Sequence, residues 1–278
     1  MFTPDLLKDK RILVTGGGTG LGKAMGERFL ELGASLVICG RRQTVLEETA
    51  WAFDERFDRP TQWHVCDIRD GPAVETMVAE IWKEGALDGL VNNAAGNFLA
   101  RTETLSQRAF DAVIGIVLHG TLHVTLACGK RWLGEGRPAS VLSIVTTYAW
   151  TGSGYVVPSA MAKAGVLAMT RSLAVEWGGR GVRFNAIAPG PFPTEGAWSR
   201  LVPRGQVGRD WETRNPLGRV GEHHELTNLA AYLMADGSAY INGEVVTIDG
   251  GEWLKGAGQF NFAEQLSEAE WEAMKPKK

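Results

Sequence analysis

Apolar positions along this 278-residue chain alternate between short unbroken runs and longer amphipathic stretches. The runs are Arg11–Thr15 ("RILVT"), Ser35–Cys39 ("SLVIC"), Gln62–Cys66 ("QWHVC"), Gly89–Asn92 ("GLVN"), Ser140–Ile144 ("SVLSI"), Arg183–Ile187 ("RFNAI") and Val245–Ile248 ("VVTI"). Between them, helical spacing covers about Leu21–Leu32, Val45–Phe57, a segment opening near Pro72, about Phe110–Trp132, and Val157–Trp177. Runs without polar alternation predict strands buried on both faces, hence a parallel sheet with helices on either side. The expected fold is α/β, a doubly wound parallel sheet in three layers, with its ligand site at the carboxyl ends of the strands. No linker separates two halves, so residues 1–278 read as one domain.

The alternation lapses between Pro189 and His223, where glycine, proline and arginine dominate around a short helical stretch at Glu195–Leu201. Long irregular segments in compact domains are commonly lids, and Trp198 and Trp211 favour a substrate-covering lid over 191–220. A C-terminal extension, 256–278, carries the capping pair Ser267 and Glu270, which opens a short helix.

Composition narrows the class. Hydrophobic residues at 44% and charged residues at 22% are ordinary for a soluble globular protein. A formal charge of −3 gives no electrostatic reason to expect nucleic acid or an anionic membrane. No stretch reads as the roughly 20 apolar residues of a membrane span, and the N-terminus reads as no secretory signal. Cys39, Cys66 and Cys128 are widely spaced and odd in number, which predicts small buried hydrophobes in a reducing, cytoplasmic setting. "HHELTN" at His223–Asn228 falls one residue short of a zinc motif, because Asn228 stands where the second histidine belongs, and no metal is expected.

Chemistry enters with "TGGGTGLG", Thr15–Gly22, which follows the first strand and opens the first helix. Glycines there let the backbone turn sharply and approach a pyrophosphate, whose charge meets amides at the helix start. In that context the motif predicts a Rossmann-type dinucleotide site built on Gly16, Thr19, Gly20, Leu21 and Gly22. The second strand ends in "CGRRQ", with no carboxylate to hold a ribose 2′-hydroxyl. Arg41 can instead clamp a 2′-phosphate, which selects NADP(H); the rival reading of Arg41 and Arg42 is a solvated surface pair. Asp67 and Ile68 follow the third strand, at the adenine position. Asn93, Ala94, Ala95 and Gly96 follow the fourth, offering small residues where the cofactor lies close, and Pro189, Gly190 and Pro191 follow the sixth.

Thr15-Gly-x-x-x-Gly-x-Gly, "NNAAG", the helix carrying Lys163 and "NAIAPGP" at Asn185–Pro191 together resemble the short-chain dehydrogenase/reductases over nearly the whole chain. That resemblance implies a lysine, Lys163, on the nicotinamide ribose and a tyrosine four residues before it. Ser159 stands there instead, with Thr146 in the family's serine slot and His119 in the slot of the helix asparagine. Serine is far too weak an acid to replace tyrosine in carbonyl reduction.

Three segments, "NNAAGNF" (Asn92–Phe98), "TTYAWTGSGYVVPSAMAKAG" (Thr146–Gly165) and "PGPFPTEGAWSRL" (Pro189–Leu201), resemble the 2,4-dienoyl-CoA reductases of that superfamily. The resemblance implies that Tyr148 and Asn97 hold the thioester oxygen of an acyl-CoA substrate, while Ser159 and Lys163 hold a proton-delivering water. It also implies a homotetramer with the Val157–Trp177 helix at an interface. Read from the residues alone, Tyr148 is a surface or packing aromatic, Asn97 a turn residue, Ser159 a helix cap and His119 a core histidine. The lid arginines Arg200, Arg204, Arg209, Arg214 and Arg219 read either as contacts to coenzyme A phosphates or as a solvated basic loop.

Overall fold

The structure, a computed structural model, describes residues 2–196 and 213–275. Seven strands form one sheet in the order β3-β2-β1-β4-β5-β6-β7, and every neighbouring pair is parallel. They are β1 (Arg11–Thr15), β2 (Ser35–Gly40), β3 (Gln62–Val65), β4 (Gly89–Asn92), β5 (Ala139–Ile144), β6 (Val182–Pro189) and β7 (Val245–Ile248). All seven match the apolar runs in the sequence, with ends moved by a residue or two. Every residue of β4 and of β5 is buried, as a strand covered on both faces requires.

One face of the sheet is covered by α1 (Gly20–Glu31), α2 (Gln43–Phe57) and α8 (His223–Met234). Its core joins Met25, Phe29, Leu46 and Phe53 to Ile12, Val14, Leu226 and Leu233. The opposite face carries α3 (Gly71–Lys83), α4 (Gln107–Ile114), α5 (Gly120–Glu135) and α7 (Val157–Gly178), around Trp132, Val141, Trp177 and Phe184. Local chemistry sets several of these ends. Asp70 caps α3 through its bond to the Ala73 amide, with Pro72 in the first turn. Glu222 and Glu225 close a capping box on α8, and Ser267 and Glu270 do the same on α10 (Glu268–Ala273). A four-residue helix, α6 (Tyr148–Thr151), follows β5, and α9 (Glu252–Ala257) follows β7.

Helices α4 and α5 run on through a π turn, Gly115–His119. By length and composition alone the continuous stretch Gln107–Glu135 could cross a membrane, which corrects the expectation that no segment approaches that length. Half of its most apolar window is buried against the sheet and its neighbouring helices, as befits a core helix. The π turn also corrects the reading of His119 as a core histidine. His119 is exposed, and Val117 is the buried residue of that turn, packed with Val113, Val145 and Val166.

Gly129 of α5 faces Trp177 of α7, and a Cβ there would lie 2.2 Å from the Trp177 ring. Alanine in a helix interior gains roughly 0.5–1 kcal/mol over glycine, but Trp177 is 7% exposed and packs edge-on against Phe184 at 5.6 Å, so it cannot yield. The clash wins. Gly129→Ala is expected to lose about 1–3 kcal/mol in a urea unfolding titration.

Candidate active site

Strand order reverses between β1 and β4, so the loops leaving their carboxyl ends diverge and open a crevice. The Thr15 hydroxyl ties that crevice together. It donates to the Val91 carbonyl at 3.3 Å and accepts from the amides of Asn93 and Ala94, both at 3.0 Å. The Asn93 side chain donates back to the Thr15 carbonyl at 3.0 Å. Gly16 and Gly20 take left-handed backbone, at φ 67° and 56°, where a side chain would be strained. Gly22 has no such torsion; it is needed for space, since a Cβ there would sit 2.4 Å from the Gly16 carbonyl oxygen.

Thr19 precedes α1 and makes no side-chain cap bond. The helical bonds start with the Lys23 amide, donated to the Thr19 carbonyl, so the amides of Gly20, Leu21 and Gly22 face the crevice without helical partners. A cradle this tight, lined by amides at the positive end of α1, fits a dinucleotide pyrophosphate. Thr194 lies across it, its methyl 3.4 Å from where a Gly20 Cβ would stand. Pro191 is buried nearby, and the Gly190 amide donates to the Ile248 carbonyl at 2.9 Å. Arg41 is exposed beyond β2, close enough to help hold the Asp67 carboxyl below its usual range. The main cause of that lowering is the Arg69 guanidinium, which grips Asp67 with Nε bonds of 2.9 and 3.0 Å. The carboxylate expected at the adenine position is thus already paired. Ile68 beside it is buried, with its carbonyl on the His123 ring at 3.0 Å.

Across the crevice the second group converges. Asn97, five residues past β4, turns its oxygen to the Phe98 amide at 2.9 Å, which leaves its Nδ2 to donate to the Tyr148 hydroxyl at 3.3 Å. The same hydroxyl lies 3.1 Å from Ser159 Oγ. Ser159 is not a helix cap: α7 begins at Val157, and Ser159 is buried inside the first turn. One turn further on, Lys163 is 8% exposed and donates its ammonium to the Ile144 carbonyl at the end of β5. Burial lowers its pKa from 10.5 to about 8. Asn97, Tyr148 and Ser159 thus form one hydrogen-bonded line at the carboxyl edge of the sheet, with Lys163 one turn along α7 from Ser159. Tyr155, the other tyrosine before Lys163, is 65% exposed with left-handed backbone, outside this cluster.

The residues 16–252 match the family model described as enoyl-(acyl carrier protein) reductase. A probable 2,4-dienoyl-CoA reductase 3, (3E)-enoyl-CoA-producing, of Caenorhabditis elegans is 45% identical over 88% of this chain and 81% of its own. A probable 2,4-dienoyl-CoA reductase, (2E)-enoyl-CoA-producing, of Bacillus subtilis is 41% identical over 89% of this chain and 98% of its own. Among solved structures, a short chain dehydrogenase from Bacillus anthracis aligns with a TM-score of 0.81 at 42% identity, over 89% of this chain and 98% of that one. The chain belongs to the short-chain dehydrogenase/reductase family. A more distant member, a gluconate 5-dehydrogenase from Burkholderia cenocepacia in complex with NADP and tartrate, aligns with a TM-score of 0.85 at 26% identity, over 90% and 98% of the two chains.

Against that family frame, His119 does not fill the asparagine slot, since it faces outward from the π turn. Thr146 contributes its carbonyl to the Ala149 amide, at the start of the turn that carries Tyr148. Trp198, Trp211, Arg200, Arg204, Arg209 and most of the expected Glu195–Leu201 helix lie outside the described residues. Of the remaining arginines of the segment expected as a lid, Arg219 pairs with Glu225 at 2.6 Å and Arg214 lies 3.6 Å from Glu252, so both are engaged within the protein. His223 holds the Pro193 carbonyl at 2.7 Å, and His224 pairs with Glu222 at 3.2 Å. Among the described residues no three metal-ligating side chains come together. The cysteines are buried and unbonded, with Cys39 pushed by burial up to about 12 and Cys66 up to about 11. Thr15 and Thr194 are the residues of this short-chain dehydrogenase/reductase that sequence reasoning did not assign. Thr15 had a signal, as the first letter of the glycine motif.

The Lys163 shift carries a sign. The folded chain releases this proton near pH 8, whereas the unfolded chain keeps it to about 10.5, so stability rises with pH across that window. Compared with Lys163→Met, the cofactor-free protein is expected to gain on the order of 3 kcal/mol between those limits. Urea titrations of both proteins at several pH values check it.

Proposed function

We propose that the chain reduces 2,4-dienoyl-CoA thioesters to enoyl-CoA with NADPH, a step in the oxidation of unsaturated fatty acids. The observation that carries this reading is the bond from Asn97 Nδ2 to the Tyr148 hydroxyl, which sets two donors side by side, with a serine where a carbonyl reductase needs its acid. The names of the C. elegans and B. subtilis relatives support it.

NADPH, when bound, supplies a hydride to the δ-carbon of the conjugated chain; Gly16, Thr19, Gly20, Leu21, Gly22, Asn93, Ala94, Ala95, Gly96, Pro189, Gly190, Pro191 and Lys163 would hold it. Arg41 just past β2, where the chain "CGRRQ" carries no carboxylate, supports the 2′-phosphorylated form. Charge then gathers on the distant thioester oxygen as a dienolate, not at the carbon that received hydride. Two donors aimed at that oxygen stabilise it, and no phenol is needed at the hydride-accepting carbon. The proton goes to carbon. Lys163, with its pKa lowered to about 8, and the buried Ser159 hydroxyl can hold a water that delivers it.

A cytoplasmic enzyme and a homotetramer belong to the same proposal. Three buried free thiols suit a reducing compartment. The exposed Met161 and Val175 on α7 suit an interface between copies. A second reading, reduction of another enoyl thioester, is favoured by the description of the matching family model.

Purified protein with hexa-2,4-dienoyl-CoA is expected to consume NADPH, with kcat reduced about 10²–10³-fold in Tyr148→Phe and in Asn97→Ala. Turnover of crotonyl-CoA but of no dienoyl thioester would give the second reading. Arg41→Ala is expected to raise KM for NADPH by at least about tenfold, the worth of one charge-assisted contact, while leaving NADH use unchanged. Equal use of both cofactors by the unaltered enzyme would remove the cofactor assignment.

A further inference from the structure

We propose that Trp253 is a specificity-determining residue, which with Trp150 forms an aromatic wall for the acyl chain beyond the reacting carbons. The inference rests on the reading of the site as an acyl-thioester reductase and extends it to the tail of the substrate. It begins at α6, where four residues face three ways. Tyr148 reaches inward to Asn97 and Ser159, Ala149 packs against the Val145–Val166 cluster, and Trp150 remains 38% exposed. Trp253, from α9, meets Trp150 edge to face, with ring centroids 5.8 Å apart and planes at 85°. A T-shaped pair uses one face of one ring and leaves the other broad faces for a further partner.

The rim around the polar cluster continues in the same character. Leu99, two residues past Asn97, is 46% exposed, and its loop is joined to Tyr155 by the bond from the Ala100 amide to the Tyr155 carbonyl at 3.0 Å. The large apolar side chains on the segments that carry the polar cluster are thus Leu99, Tyr155 and Trp150, and Trp253 meets the last of them. Apolar surface continuous with a polar catalytic point matches a ligand with a polar head and a hydrocarbon tail. The phosphates of coenzyme A do not suit such a wall, whereas a fatty acyl chain does.

Trp253 is also held in place from beneath. Asp249, 8% exposed, accepts from the Gly251 amide on one oxygen and from the Trp253 amide on the other, both at 2.9 Å. Asn215 donates to the Asp249 carbonyl at 2.8 Å, and Lys255 donates to the Thr213 carbonyl at 2.9 Å. The turn bearing Trp253 is thus tied to the far end of the lid segment, and preorganised support of this kind is what a contact residue requires. Trp253 is the informative position to alter, because Trp150 shares its turn with Tyr148.

Two measurements on the unaltered protein, Trp253→Ala and Trp253→Phe test the wall. One is the ratio of kcat/KM for deca-2,4-dienoyl-CoA over hexa-2,4-dienoyl-CoA with NADPH. The other is the ratio of calorimetric Kd values for saturated decanoyl- and hexanoyl-CoA. Each buried methylene is worth about fourfold, so with a wall along one side of four extra methylenes, Trp253→Ala is expected to reduce both preferences for the longer chain on the order of tenfold. Trp253→Phe gives the same direction at smaller amplitude and serves where alanine unfolds the tail. Unchanged ratios overturn the proposal, as does an unchanged ratio accompanied by a lower assembly mass in light scattering, which would assign the pair to a contact between copies. Should the unaltered protein reduce no dienoyl thioester while Trp253→Ala still abolishes the chain-length gain in binding, the reaction assignment fails and the acyl wall stands.

Discussion

A single line of hydrogen bonds, Asn97 to Tyr148 to Ser159, joins the ends of two strands to the first turn of a helix. The rest of the site is arranged around keeping those three segments at that spacing. Because β4 and β5 are parallel neighbours in register from Gly89 with Ser140 to Asn92 with Ser143, their loops must leave the sheet side by side. Lys163 then pins α7 to β5 through the Ile144 carbonyl, four residues before Tyr148. The helix and the strand that supply the line are thereby fixed to each other by a third, buried bond. A slip of one residue in β5 would turn its side chains to the opposite faces and carry Ile144 and Tyr148 out of reach together.

That arrangement places a cation in an apolar setting, and its lowered pKa records the cost. Such costs are characteristic of sites rather than of scaffolding, and are tolerated because the surrounding core is large. Asn92 shows the same tension at the neighbouring strand end. Its Nδ2 donates to Thr125 at 3.0 Å, while its buried Oδ1 has no partner among the described residues. The carboxyl edge of the sheet therefore holds two such groups, Lys163 and Asn92, next to glycines that leave no room for side chains.

Much of this edge was legible in the order of residues alone. The seven apolar runs located every strand, since burial on both faces leaves a continuous signature that needs no distant partner to be read. Gly16, Gly20 and Gly22 announced the tight turn after β1 for a similarly local reason: two need left-handed backbone and one needs space. The reading of His119 as a core residue failed, because a π turn holds more residues than an α turn and rotates the later residues of the helix about its axis. Periodicity also could not say whether Ser159 caps a helix or faces a site. That choice turned on where α7 begins, at Val157, a boundary of the kind sequence patterns place only within a few residues.

Sequence by itself determined what depends on neighbours along the chain: strand burial, the glycine turn, the helix caps at Asp70 and Ser267, and the spacing of Tyr148 and Ser159 from Lys163. Tertiary structure alone decided what depends on segments brought together across the fold. The Tyr148 phenol is a hydrogen-bonding group and not packing only because Asn97 and Ser159 arrive beside it. Trp150 meets another ring only because the turn after β7 delivers Trp253 to its edge. Local backbone preferences are written residue by residue, whereas a contact between remote residues exists only once the sheet has set which chain ends lie next to each other.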